Sequence, residues 1–133
     1  MGEKELLELV RGGYAAFARS DFEWMIRNCT ADVVIMPPAE RPSARTYHGR
    51  AEFRDAFTDW PSQWDEFELE LVDVAVVNDH QVLGTCRQRM RAGDLELDQP
   101  RYDLFSVRQG KVARLEMFHS LEQARAAMDP GRA

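Results

Sequence analysis

Residues 99–120 read QPRYDLFSVRQGKVARLEMFHS, two β-strands joined by a tight turn, and the rest of the chain can be placed around them. Arg108-Gln109-Gly110 makes a three-residue loop, and a glycine in its last place suits the left-handed backbone on which such loops end. Val107 then faces Lys111, and counting back sets Asp103 opposite Leu115 and His119 opposite Gln99. Side chains alternate between the two faces of a strand. One face carries Asp103, Phe105, Val107, Ala113, Leu115, Met117 and His119, and the other carries Tyr102, Leu104, Ser106, Val112, Arg114, Glu116 and Phe118. The first face is apolar except for one carboxylate and one imidazole, which are therefore the first candidates for function.

The length of 133 residues suits one domain, taken as 1–133. A hydrophobic content of 44% and a charged content of 30% are those of an ordinary globular protein. No apolar run approaches the ~20 residues of a membrane span. The opening MGEKELLELV lacks the basic-then-apolar pattern of a secretory leader, and Leu6 stands where a myristoylation signal needs Ser or Thr. A net charge of −6 with no basic block argues against nucleic acid as a partner. Cys29 and Cys86 have neither zinc nor redox spacing, and two lone thiols suit a reducing cytoplasm. His48, His80 and His119 are too scattered for a metal site, so neither a metal nor a cofactor is expected.

Upstream, Leu6, Leu9, Val10, Tyr14 and Phe17 recur at helical spacing and predict an amphipathic helix over 3–19. Gly12-Gly13 within it implies close packing against another element, with backbone approach to a ligand as the alternative. Ser20-Asp21-Phe22-Glu23 has the form of a capping box and starts a short second helix ending near Asn28. Asp32–Met36 reads as a strand stopped by Pro37-Pro38. Residues 37–46 form a Pro-rich loop long enough to be a candidate lid. Tyr47-His48-Gly49 leads into a third helix over 50–60, with Phe53, Ala56, Phe57 and Trp60 as its apolar stripe. Phe67–Val77 alternates as a long strand, Asn78-Asp79 turns it, and His80–Arg91 returns antiparallel. Cys86, Gln88 and Met90 fall on the inner face, while Arg87, Arg89 and Arg91 form a solvated outer row facing Glu68 and Glu70. Ser120-Leu121-Glu122-Gln123 starts a last helix to about Met128, and a tail follows.

This order predicts an α+β fold: three N-terminal helices packed on a strongly curved, mainly antiparallel sheet, closed by a short C-terminal helix. Such a sheet can leave an apolar cavity beneath the helices.

The order and its landmarks resemble the SnoaL-like branch of the nuclear transport factor 2-like superfamily of cone-shaped α+β domains, over about residues 4–128. The resemblance rests on the Asp21-Phe22 step, Asp32-Val33-Val34, Tyr47-His48-Gly49-Arg50, Gly110-Lys111-Val112, and Phe118-His119-Ser120-Leu121-Glu122-Gln123-Ala124. It implies the fold and not the reaction, because the fold hosts isomerases, cyclases, epoxide hydrolases, dehydratases, binding proteins and dimerisation modules. Against ketosteroid isomerase, Met36 or Pro37 stands where its general base would be, Gly13 with Tyr14 beside it matches its oxyanion-hole tyrosine, and Asp103 matches its oxyanion-hole aspartate. Arg101-Tyr102-Asp103 has the Arg-x-Asp letters of limonene-epoxide-hydrolase-type enzymes, while Val33-Val34-Ile35 supplies no Tyr-x-Asn. SnoaL-type cyclases use an Asp acid/base, for which Asp103 is the inward candidate.

An unpaired carboxylate on an apolar face is costly to ionise and could act as a general acid or base near neutral pH. His119 could supply the complementary base. About 13 Å would separate the two along the strands, at ~3.3 Å per residue, so they would flank a ligand and not form a dyad. The structural alternative is that Asp103 accepts hydrogen bonds from Tyr14, a Trp indole or Gln88. The candidate catalytic set is therefore Asp103, His119 and Tyr14. The candidate binding set is Trp24, Met36, Tyr47, Phe57, Trp60, Gln88, Met90, Phe105 and Met117, a mixture of Met and aromatic walls that suits a small, flat hydrophobic molecule. Expected function is acid/base chemistry of isomerase, cyclase or hydrolase type without a cofactor. The alternatives are non-catalytic ligand binding or a dimerisation module, with a homodimer formed through the outer sheet face.

Overall fold

The computed structural model describes residues 1–42 and 44–129. Ser43 of the Pro-rich loop and residues 130–133 of the tail lie outside the described residues. The chain forms α1 (Glu3–Ala18), α2 (Phe22–Arg27), β1 (Cys29–Met36), β2 (Tyr47–His48), α3 (Phe53–Thr58), β3 (Glu66–Val76), β4 (Gln81–Ala92), β5 (Leu95–Arg108), β6 (Lys111–Phe118) and α4 (Leu121–Ala127). Short 3-10 turns at Arg50–Glu52 and Pro61–Gln63 flank α3, so the helix expected over 50–60 is broken into pieces. The six strands lie in the order β2-β1-β6-β5-β4-β3, with β1 parallel to β6 and all other neighbours antiparallel. This is an α+β fold built on a mixed sheet. No helix among the described residues is long and apolar enough to cross a membrane.

The stripe of α1 buries Leu6, Leu9, Val10 and Ala16. The helix ends where Ser20 adopts φ 58°, with the Ser20 and Asp21 N–H groups donating back to Phe17 and Ala16. Asp21, one residue later than the sequence pattern suggests, caps α2: its carboxylate accepts from the Trp24 N–H at 3.1 Å and from Arg19 at 3.1 Å. At the other end, the Ser120 hydroxyl caps α4 by accepting from the Gln123 N–H at 3.2 Å. Helix α4 lies against β5 and β6, where Ala124 and Leu104 are fully buried.

The β5–β6 hairpin differs from its sequence reading in a way that matters for the site. The turn has two residues, because Arg108 pairs with Lys111 and both Gln109 (φ 53°) and Gly110 (φ 75°) are left-handed. Such a turn matches the right-handed twist of the strands, and the twist outweighs the preference of Gln109 for negative φ. Val112 therefore faces Val107 and points inward. A bulge at Ala113 then resets the alternation, so Leu115 and Met117 are buried all the same. The combined shift sets Asp103 opposite Met117 instead of Leu115.

A second bulge, at Val72 of β3, leaves that valine 60% exposed and turns Val74 inward. The β3–β4 connection is also longer than two residues, with the Val77 N–H donating to Gln81 and the Asn78 carboxamide oxygen accepting from the His80 N–H. On β4 the inner row Cys86, Gln88 and Met90 is buried. The outer row pairs with acidic neighbours: Arg87 with Asp98 (2.7 Å), Arg89 with Glu68 and Glu70 (3.3 and 3.2 Å), and Arg91 with Glu66 (3.2 Å).

Gly12 and Gly13 have opposite environments on one helix. A Cβ on Gly12 would lie 2.5 Å from the Trp24 ring, whereas a Cβ on Gly13 would meet nothing within 4 Å. Gly13→Ala is therefore expected to stabilise the protein by roughly 0.5–1 kcal/mol through helix propensity. Gly12→Ala is expected to destabilise it by about 1–3 kcal/mol through overpacking. Urea denaturation of both variants checks the opposite signs.

Candidate functional site

Asp103 lies in the middle of β5, flanked by Gly84 of β4 and Met117 of β6, and is 1% exposed. Arg101 precedes it by two residues, so strand alternation puts both on the inner face. The guanidinium forks onto the carboxylate: Nε donates to Oδ1 and Nη2 to Oδ2, both at 2.8 Å. Arg101 is itself only 7% exposed. From α1 the Tyr14 hydroxyl donates to Asp103 Oδ2 at 2.6 Å, and the Cys86 thiol lies 3.3 Å from that hydroxyl and 3.6 Å from Oδ2.

Tyr14 can reach Asp103 because residue 84 has no side chain. A Cβ there would lie 2.3 Å from the Tyr14 hydroxyl oxygen. Phe105, next on the inner face of β5, meets the Tyr14 ring edge-on at 5.7 Å and 78° and fixes its tilt.

Burial shapes the charge states. It holds the Tyr14 hydroxyl well above its usual pKa, with the negative charge of Asp103 adding to the effect, so the phenol keeps its proton. It pushes the Cys86 thiol up to about 12, again helped by Asp103. Burial works against the charge on Arg101, but the attraction of Asp103 outweighs it and the guanidinium ends above its usual range. The centre is thus a buried ion pair with two neutral hydrogen-bonding groups on one of its oxygens.

This centre forms one wall of a cavity of about 60 Å³ between α1, α2, α3 and the sheet. The remaining walls are almost wholly apolar, among them Val10, Trp24, Ile35, Phe53, Phe57 and Leu115. The volume holds several waters but is well below the ~150 Å³ of a cavity that takes up benzene.

The sequence-derived candidates fall into three places. Asp103, Tyr14, Trp24, Phe57 and Phe105 line the cavity. Tyr47 and Trp60 line a separate outer cleft of about 430 Å³, together with Arg41 and Asp59, and the Tyr47 hydroxyl donates to Asp59 at 2.6 Å. Met90 borders a groove between β3 and β5, Gln88 is fully buried in β4, and Met117 is buried beside Asp103. Met36 lies at the end of β1, where its sulfur accepts from Arg114. His119 is not brought to the cavity, and its side chain, about one-third exposed, lies 3.9 Å from Glu40. Arg101, Cys86 and Gly84 belong to the centre and were not among the candidates. The alternation that turned Asp103 inward was signal enough for Arg101.

Replacing Asp103 alone leaves the Arg101 charge buried, so Asp103→Asn is expected to lose about 3–5 kcal/mol. The double variant Asp103→Leu/Arg101→Met, which removes both charges, is expected to be more stable than either single variant, with a coupling energy above ~1 kcal/mol in a chemical-denaturation cycle. Burial also raises the Cys29 thiol to about 12. Both thiols are expected to resist iodoacetamide at pH 8 in the folded protein and to react once it is unfolded, as mass spectrometry would read.

The sequence matches the SnoaL-like domain family over residues 10–115. An uncharacterised protein of Mycobacterium tuberculosis is 30% identical over 115 residues, covering 86% of this chain and 88% of that one. Among solved structures, an NTF2-like protein from Burkholderia thailandensis superposes with a TM-score of 0.76 at 21% identity, covering 92% of this chain and 96% of the other. SalBIII, an epoxide hydrolase/cyclase-like enzyme with a role in pyran ring formation in the polyether salinomycin, superposes with a TM-score of 0.72 at 17% identity, covering 90% and 94%. Such identities speak for the shared fold alone. With the family match spanning most of its length, this chain belongs to the SnoaL-like family.

Proposed function

We propose that the chain binds a small, mainly hydrophobic organic molecule in the cavity, with a polar group of that molecule against Tyr14 and Asp103. The observation that carries this reading is the single polar wall of an otherwise apolar cavity. A buried ion pair is weak as a device for stability, so its presence at a cavity wall favours a role in recognition. The smallness of the cavity means that the ligand enters by displacing half-buried wall residues such as Trp24 and Phe57.

Binding is favoured over catalysis by the way Asp103 is tied. Oδ2 already accepts from Arg101, Tyr14 and Cys86, and the Tyr14 proton is committed to Asp103. A second reading, cofactor-independent acid/base chemistry of isomerase, cyclase or hydrolase type, is favoured by one detail. Asp103 Oδ1 accepts only from Arg101 Nε and keeps lone-pair capacity beside the cavity, the position of a general base.

The test is a thermal-shift screen of phenols, terpene epoxides, aromatic polyketides and steroids against the wild type and Gly13→Leu. A ligand at 100 times its Kd adds about 2.7 kcal/mol, which raises Tm by several degrees in a domain of this size. Hits that lose their shift in Gly13→Leu, where the new side chain fills the cavity, support the reading. Hits that survive the plug place the ligand elsewhere, and a hit consumed by wild type at a rate that Asp103→Asn lowers moves the assignment to catalysis.

A further inference from the structure

Arg41 is the other buried guanidinium near the Asp103 centre, and no carboxylate faces it. It comes from the Pro-rich loop after β1 and is 8% exposed. Its guanidinium carbon stacks 4.3 Å from the Trp60 ring centroid, and Trp60 meets Trp64 edge-on at 5.4 Å. Among the described residues, buried side-chain N and O atoms without a hydrogen-bond partner gather almost wholly here and on the adjacent sheet surface. They are Arg41 Nε and Nη2, Trp60 Nε1, Trp64 Nε1 and both amide atoms of Gln88, with Thr30 Oγ1 on β1 the other. Gln88 follows Cys86 on the inner face of β4, and Cys86 pairs with Arg101, so Gln88 is a diagonal neighbour of Arg101.

The unpartnered edge of Arg41 has a counterpart in the same fold. Nε and Nη2 are the two donors with which Arg101 grips Asp103, at 2.8 Å each. A planar carboxylate is the group that fits such an edge bidentately. The charge count agrees. Arg41 and Arg101 bring two positive charges and Asp103 one negative, while Tyr14 and Cys86 keep their protons. Asp59, on the outer side of Arg41, is taken by Tyr47 at 2.6 Å and by Arg45 at 3.9 Å. The repulsion is felt at Arg41, whose pKa falls to about 10, first through burial and then through the charge of Arg101. The interior therefore carries one unneutralised positive charge, flanked by indole N–H donors and aromatic faces.

We infer that the fork of Arg41, with Trp60, Trp64 and Gln88, forms a binding site for the carboxylate of an aromatic or otherwise flat unsaturated organic acid. This inference rests on the small-molecule reading above and narrows it to a monoanion. The carboxylate takes the Nε/Nη2 edge of Arg41, and the indole N–H groups supply further donors. The flat body lies along the tryptophans, where an acid finds both its charge and its ring matched.

The probe pair is 2-naphthoate and 2-naphthamide, alike in shape and different in charge. Titration at pH 7 is followed by calorimetry and by the indole N–H resonances of the three tryptophans, assigned with Trp→Phe variants. Naphthoate is expected to bind at least tenfold more tightly than naphthamide and to shift the Trp60 and Trp64 resonances. Arg41→Met is expected to abolish that preference while its ligand-free Tm stays level or rises, because an unpaired buried charge has been replaced by an apolar chain of similar length. Equal binding of acid and amide, or a preference that survives Arg41→Met, overturns the inference. So does a clear fall in the ligand-free Tm of Arg41→Met together with no naphthoate binding to wild type, which makes Arg41 structural. Gly13→Leu separates the two readings: naphthoate binding that depends on Arg41 but ignores the plug upholds this site and removes the cavity of the earlier proposal.

Discussion

A guanidinium and a carboxylate buried two residues apart on β5 are the constraint to which the interior is fitted. Each charge is costly to bury alone, and their mutual attraction offsets that cost only when the geometry is good and the remaining lone pairs are used. The bidentate grip of Arg101 supplies the geometry. Tyr14 and Cys86 supply the rest, and both have to be held close to Asp103 Oδ2. That demand reaches α1 through Tyr14 and β4 through Cys86, so it sets how closely the first helix approaches the sheet.

Missing side chains give that approach its room. Gly84 removes the Cβ that would collide with the Tyr14 hydroxyl, and Gly12 removes the one that would collide with Trp24. The first contact lets α1 settle on the centre of the sheet, and the second lets α2 settle on α1. Gly13, one residue along, faces open space, which is the cavity. Adjacent glycines thus do different things: one permits contact, and the other leaves a void beside the only polar wall. A dry void of this kind would ordinarily be filled, since interiors pack to crystal-like density.

The long alternating segments made the fold legible. The inner row of β4, the outer arginine row and the inward face of Asp103 and Phe105 all follow from a period of two. What escaped was whatever broke that period. The two-residue turn at Gln109-Gly110 and the bulge at Ala113 together moved Asp103 from Leu115 to Met117, and the bulge at Val72 reset β3. Bulges are answers to sheet twist and leave no fixed mark on the residues that form them. Arg101 was legible by the same alternation as Asp103, yet beginning the inward face at residue 102 left it out. Arg41 was not legible at all. It comes from a loop with no periodicity, and its burial depends on two tryptophans that arrive after α3.

The two buried arginines also separate what packing requires from what it does not. Arg101 is fully answered: its carboxylate is beside it on the same strand, and removing either partner leaves the other charge exposed to an apolar interior. Arg41 is answered only on its face, by the Trp60 ring. Its Nε/Nη2 edge, buried and without an acceptor, contributes nothing to the folded state that an apolar chain of the same length could not. Buried donors normally find acceptors within the chain. When a guanidinium edge, two indole N–H groups and a glutamine amide lack them in one quarter of a small domain, packing error is a poor explanation, because each group could be replaced separately. A shared acceptor from outside the chain answers them together, and it also supplies the negative charge that the Arg41–Arg101–Asp103 group lacks.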